Sequence, residues 1–108
     1  MDSGKRFEAH VSRALHALKG ASMRIEDGGQ YSRNRQLADF LYWPDFPCTY
    51  AIECKSTRGK SFPLGRIGFG ERNGQIYRLV NWHDEHAKRR ALIAFEFYQE
   101  YRKDKRAY

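Results

Sequence analysis

The chain has 108 residues, an apolar content of 41% and a formal charge of +7, from 20 Lys and Arg against 13 Asp and Glu. That length buries roughly two-thirds of the surface an unfolded chain exposes, enough for one core and too little for two, so a single domain over residues 1–108 is expected. No stretch approaches the roughly 20 apolar residues of a membrane span, and Cys48 and Cys54 are too few, and wrongly spaced, for a disulfide framework or a cysteine zinc site, which leaves a basic protein suited to a polyanion.

The opening MDSGKRFEAH is charged and lacks the apolar core of a secretory signal, so a cytoplasmic location is expected. Phe7, Val11, Ala14, Leu15 and Leu18 recur at helical spacing and predict a helix over about 5–19, with Ser3 as its cap and Gly20 as its stop. Residues 22–26 predict a short strand, and the Gly-, Asn- and Arg-rich run that follows predicts a basic loop. Two β-favouring runs, 37–43 and 49–57, flank Pro44-Asp45-Phe46-Pro47 and read as a hairpin with Asp39 on its first strand.

The glycine-rich run 58–73 predicts a loop, after which Ile76, Leu79, Val80 and His83 predict a second amphipathic helix ending near Lys88. Residues 91–97 read as a buried strand, and the charged remainder as a short closing helix or a frayed tail. Both cysteines are expected to be reduced, buried filler. The expected order is therefore α, three strands, α, strand, an α/β domain.

Chemistry concentrates in Tyr50-Ala51-Ile52-Glu53-Cys54-Lys55-Ser56, where alternation projects Glu53 and Lys55 onto one face of an otherwise apolar strand. A desolvated carboxylate and ammonium are costly unless paired, hydrogen-bonded or bound to a metal. Asp39 adds a carboxylate from the neighbouring hairpin strand. Hydrolysis of a phosphodiester needs neutralised phosphate charge and an activated water, and hard divalent cations take carboxylates with carbonyl and water oxygens. Asp39, Glu53 and the Cys54 carbonyl fit as protein ligands, with Lys55 to orient or deprotonate the water. The plain alternative for Glu53 and Lys55 is an ion pair on a sheet.

Asp39, thirteen intervening residues and then Glu53-Cys54-Lys55 resemble the PD-(D/E)xK nuclease pattern. GKRFE from Gly4, ADF around Asp39, ECKST from Glu53, KSFPL from Lys60 and Gln75 at the second helix resemble, in the same order, the RecU-type Holliday junction resolvases of that superfamily. The resemblance implies a restriction-endonuclease-like αβββαβ core with a mixed central sheet flanked by helices. It further implies a Mg²⁺-dependent homodimeric endonuclease, with Mn²⁺ as a substitute, that nicks four-way DNA junctions in recombination and repair. By the same carry-over Glu8 assists the metal site, through water, and Gln75 lies beside it, while the Ser61-Phe62-Pro63 turn approaches the substrate. The chain departs in carrying Ala38 where the pattern has proline, and in lacking much of the stalk segment that would meet the crossover, for which the basic loop 30–36 is a substitute. A less selective nuclease of the superfamily and a non-catalytic nucleic-acid-binding module are the alternatives.

Lys5, Arg33, Arg35, Arg58, Lys60, Ser61, Arg66 and Arg72 are the candidates for DNA contacts, being near the site or in basic loops. Plain readings stand beside several residues: Glu8 is favoured in a first helical turn by the dipole alone, and Gln75 suits an exposed helix position. His83 is expected to pack and His86 to face solvent, and Phe69 to anchor its glycine loop. Gly59-Lys60-Ser61 is not a phosphate-binding loop, because position 54 is cysteine where that motif needs glycine, so no nucleotide is expected. Phe95, Phe97, Tyr98 and Tyr101 suit a dimer contact, although a core strand explains Phe95 and Phe97 equally well, and the compact plan suggests a phage or bacterial origin.

Overall fold

A computed structural model of the chain describes residues 3–25, 37–45, 47–67 and 74–99. The elements are α1 (Ser3–Ala17), β1 (Ala21–Arg24), β2 (Phe40–Trp43), β3 (Thr49–Arg58), a 3-10 helix (Leu64–Ile67), α2 (Gln75–Glu85) and β4 (Arg89–Tyr98). The expected order holds, with the 3-10 turn an addition inside the predicted loop. The basic loop 30–36, Arg33, Arg35, Phe69, Arg72, Tyr101 and the tail lie outside the described residues.

The four strands form one mixed sheet in the order β1-β2-β3-β4, and the domain is α/β. β1 pairs antiparallel with β2, and β2 antiparallel with β3, the hairpin read from sequence. β4 runs parallel to β3 from Thr49↔Arg89 to Arg58↔Tyr98. A parallel pair needs a crossover connection, and α2 supplies it.

Alternation along β3 divides the core between two helices. Ile52 and Cys54 point to one side, into a cluster with Leu15 and Phe40, against which Phe7 and Val11 of α1 pack. Ala51 points to the other, with Ala38 and Leu79, against which Trp82 of α2 and Ile93 pack. The sheet is thus flanked by a helix on each face.

α1 turns Phe7, Val11 and Leu15 to the core, Leu15 buried and the other two partly so, an i, i+4, i+8 stripe narrower than the one predicted. Ala14 and Leu18 are exposed, Leu18 because the helix ends at Ala17. Ser3 is the helix's first residue, and its hydroxyl donates to the Tyr98 hydroxyl at 3.2 Å, tying α1 to β4. Gly20 has φ +109°, and a Cβ there would run into the Trp43 carbonyl oxygen, so the turn from α1 into β1 needs glycine twice over.

α2 ends three residues earlier than predicted, and Val80 is exposed. His83 does not pack in the core. It is half-exposed and its Nδ1 lies 3.0 Å from Asp84, while Trp82 takes the inward position under the Arg89 guanidinium. His86 is exposed, as expected, and Cys48 is half-buried where a buried residue was expected. No helix among the described residues is long and apolar enough to cross a membrane.

Candidate active site

Asp39 precedes β2 by one residue and so caps that strand where it was expected to lie within it. Its backbone is still fixed by the sheet: its N–H donates to the Ile52 carbonyl at 3.1 Å, and its carbonyl accepts from Ile25 at 2.8 Å. Because β2 ends there, the Cys54 N–H has no strand partner on that edge and donates to Asp39 Oδ2 at 2.9 Å. A strand residue's N–H and C=O leave on the same edge, so the Cys54 carbonyl also faces the Asp39 side.

Glu53 and Lys55 lie one strand position to either side of Cys54 and point to the α2 face. Glu53 is 5% exposed, the most buried charged residue described. Lys55 Nζ lies 3.0 Å from Glu53 Oε2 and keeps partial contact with solvent. Burial pushes the Glu53 carboxyl above its ordinary value, the Asp39 charge pushes the same way, and the Lys55 and Gln75 side chains pull it back. Gln75 is the first residue of α2, and its hydrogen bond to Glu53 sets the positive end of that helix within one side chain's reach of the carboxylate.

These four residues, Asp39, Glu53, Lys55 and Gln75, are brought together from two separate elements, β3 and α2, and the residue before a third, β2. Glu8 is placed on the other side of the sheet, on α1, where its Oε1 lies 2.5 Å from the Arg24 guanidinium. Its charge reaches the same neighbourhood: burial first, then Asp39, Glu8 and Glu53, push the Cys54 thiol up to about 12. Cys54 therefore stays a neutral thiol packed against α1 and contributes only its backbone to the site.

The oxygen-only set of Asp39, Glu53 and the Cys54 carbonyl matches a hard divalent cation, and two carboxylates pushed together in a desolvated site gain from one. Among the described residues no group of three or more His, Cys, Asp and Glu is placed to hold a metal ion, so a cation here would rest on two carboxylates, a carbonyl and water. A cavity of about 440 Å³ lined by Thr49, His86 and Lys88 among others opens at the opposite end of β3, about 13 Å from Glu53, and is separate from this site.

Of the predicted DNA contacts, Lys5, Arg58, Lys60, Ser61 and Arg66 are exposed. Arg66 was expected to be a phosphate contact, and it also sits 4.8 Å above the Phe62 ring and reaches Thr57 Oγ1 at 3.5 Å. Thr57 is buried on the same face as Glu53 and Lys55. Sequence reasoning stopped at Lys55, although the same alternation continues to Thr57. It also missed the Glu8–Arg24 pair, which needs the α1–β1 packing to become visible.

Set beside known proteins, the chain matches no family model, no curated protein sequence and no solved structure.

Proposed function

We propose that this chain is a divalent-metal-dependent DNA endonuclease with a PD-(D/E)xK core, and within that class a RecU-type Holliday junction resolvase. The observation that carries the reading is the buried Glu53, held 3.0 Å from Lys55 and facing the Asp39 that secures the Cys54 N–H. A carboxylate this desolvated, beside a second carboxylate and a lysine, has the make-up of a site built for a cation and a phosphate.

Asp39, Glu53 and the Cys54 carbonyl would hold Mg²⁺ or Mn²⁺, which supplies Lewis-acid activation of the phosphate and a more acidic bound water. Lys55, partly exposed beside Glu53, orients the attacking water and offsets charge developing on the phosphate. Gln75 holds Glu53 in place by its hydrogen bond. The net charge of +7 attracts the DNA backbone without reading its sequence. Two symmetric nicks in a four-way junction call for a two-fold pair of such sites, hence a homodimer. Glu8, engaged with Arg24, belongs in this reading as support for the α1 side of the site, not as a direct ligand.

The test incubates the chain with a labelled four-way junction and a matching linear duplex, in Mg²⁺ or EDTA, beside Glu53→Gln. Paired nicks in the junction alone, lost in EDTA and in the variant, are expected. Equal cutting of both substrates would reduce the reading to a general nuclease of the superfamily, and binding without cutting would leave only a nucleic-acid-binding module.

A further inference from the structure

The sheet face that carries Glu53 and Lys55 continues past them into aromatic surface. β3 and β4 pair Lys55↔Phe95 and Thr57↔Phe97, so the two rings lie beside Lys55 and Thr57 on that face. α2 covers only the half of the face around Ala51 and Ile93. Beyond its reach Phe95 is 39% and Phe97 49% exposed. Their rings stack 6.0 Å apart at 17°, and Phe62 meets Phe95 edge-on at 5.1 Å. Arg66 closes the row 4.8 Å above Phe62, with Lys60 exposed nearby in sequence.

This row of rings is bordered by Arg66 and by Lys55, the latter paired with Glu53, in a chain of net charge +7, so its charge complements a polyanion. Rings interleaved with cations match a nucleic-acid strand, whose bases have π-faces and whose phosphates are anionic. Only unpaired bases expose those faces. Phe97 lies two strand positions, about 6.6 Å, beyond the partner of Lys55, which two stacked nucleotides at about 3.4 Å each would span.

We propose that Phe62, Phe95 and Phe97 form a stacking platform for unpaired nucleotides next to the scissile phosphate, so that the preferred substrate is DNA with unstacked bases beside the cut. The position of that phosphate rests on the nuclease reading, whereas base stacking on the rings does not.

The test reads binding in EDTA, by fluorescence anisotropy with a labelled oligothymidine strand and a duplex of equal length, so it decides the platform whether or not the chain cuts. Phe97→Leu, and Phe95→Leu with Phe97→Leu, keep apolar bulk and remove the π-faces; single-strand affinity should fall at least about tenfold and duplex affinity less than about twofold. Phe97→Tyr keeps a ring and should retain parental affinity, and Arg66→Gln should weaken the single strand without disturbing the core. Unchanged single-strand affinity in the leucine variants, or equal loss on both substrates, overturns the proposal. So does a change of sedimenting mass from dimer to monomer on leucine substitution, which would make the face a contact between two copies of the chain. Absence of Mg²⁺-dependent cutting by the parent chain in the junction assay, with the stacking result intact, would overturn the nuclease reading alone.

Discussion

On one face of β3, Ile52 and Cys54 lie against Leu15, Phe40 and the inward side of α1; on the other, one residue out of phase, Ala51, Glu53, Lys55 and Thr57 face α2. On the first face Ile52 and Cys54 are covered by α1, a helix of 15 residues. The second is covered by a helix of 11 residues that begins beside Glu53, so its polar residues sit where cover gives way to solvent. One face therefore fixes the strand, and the other carries its charged groups, Glu53 buried and Lys55 partly open to solvent. A reactive carboxylate gains from this arrangement, because packing on the far side holds its backbone without occupying its approach.

The largest expected break in that comparison is in activity. Asp39→Asn and Glu53→Gln should each slow junction cleavage by at least about a thousandfold, the several kcal/mol that a positioned cation contributes to phosphoryl chemistry. Asparagine still offers an oxygen to the Cys54 N–H at the Asp39 position, so circular dichroism and junction binding in EDTA should match the parent. Cleavage by both variants at the parental rate would remove the site assignment.

The opposite face should respond in stability. Phe40, 2% exposed on the α1 side, should cost about 3–5 kcal/mol when cut to alanine, read as a lowered urea midpoint. Lys55→Met on the α2 face leaves the buried Glu53 without its cation, so it should lower the midpoint as well, but by less than Phe40→Ala because Glu53 takes up a proton instead, and it should slow cleavage strongly. If Phe40→Ala and Lys55→Met destabilise equally, the division of labour between the faces fails.

Much of this division was legible in the sequence, because a strand's period of two assigns Glu53 and Lys55 to one side and Ile52 and Cys54 to the other without any tertiary information. Asp39 was legible as a partner, but its position just outside β2, where its carboxylate replaces a missing strand bond to Cys54, depends on where pairing stops. The helix stripes were read too wide: Leu18 falls after the helix end, and Val80 and His83 yield their inward place to Trp82, which the Arg89 guanidinium covers. The link between Phe62 and Phe95 joins residues 33 apart, and pattern within a single segment does not reach that far.

A smaller contrast separates the two thiols. Cys54 is buried on the α1 face with its thiol pushed up to about 12, so it is neutral and shielded near pH 8, whereas Cys48 is only half-buried. Ellman's reagent should therefore titrate one thiol per native chain and two after unfolding. Rapid reaction of both in the native state would mean that α1 does not seal its face of β3.

The smallest expected effect lies in how Glu53 responds to pH. Burial first, and the Asp39 charge second, raise its carboxyl above the ordinary 4.5, with Lys55 and Gln75 opposing. A carboxyl raised by folding holds its proton more tightly in the folded state, so its stabilising contribution is full below 4.5 and is lost as pH rises through the raised value. Glu53→Gln has no proton to lose there. Its melting temperature relative to the parent should therefore climb as pH rises from about 4 and level off above the folded value, by about 4–8 °C per kcal/mol of difference. Mg²⁺ should narrow that gap by stabilising the ionised parent and leave the variant unmoved. Parallel melting of the two proteins across this range, with and without Mg²⁺, would mean that Lys55 already offsets the Glu53 charge in full, and the physical case for a cation between Asp39 and Glu53 would fall with it.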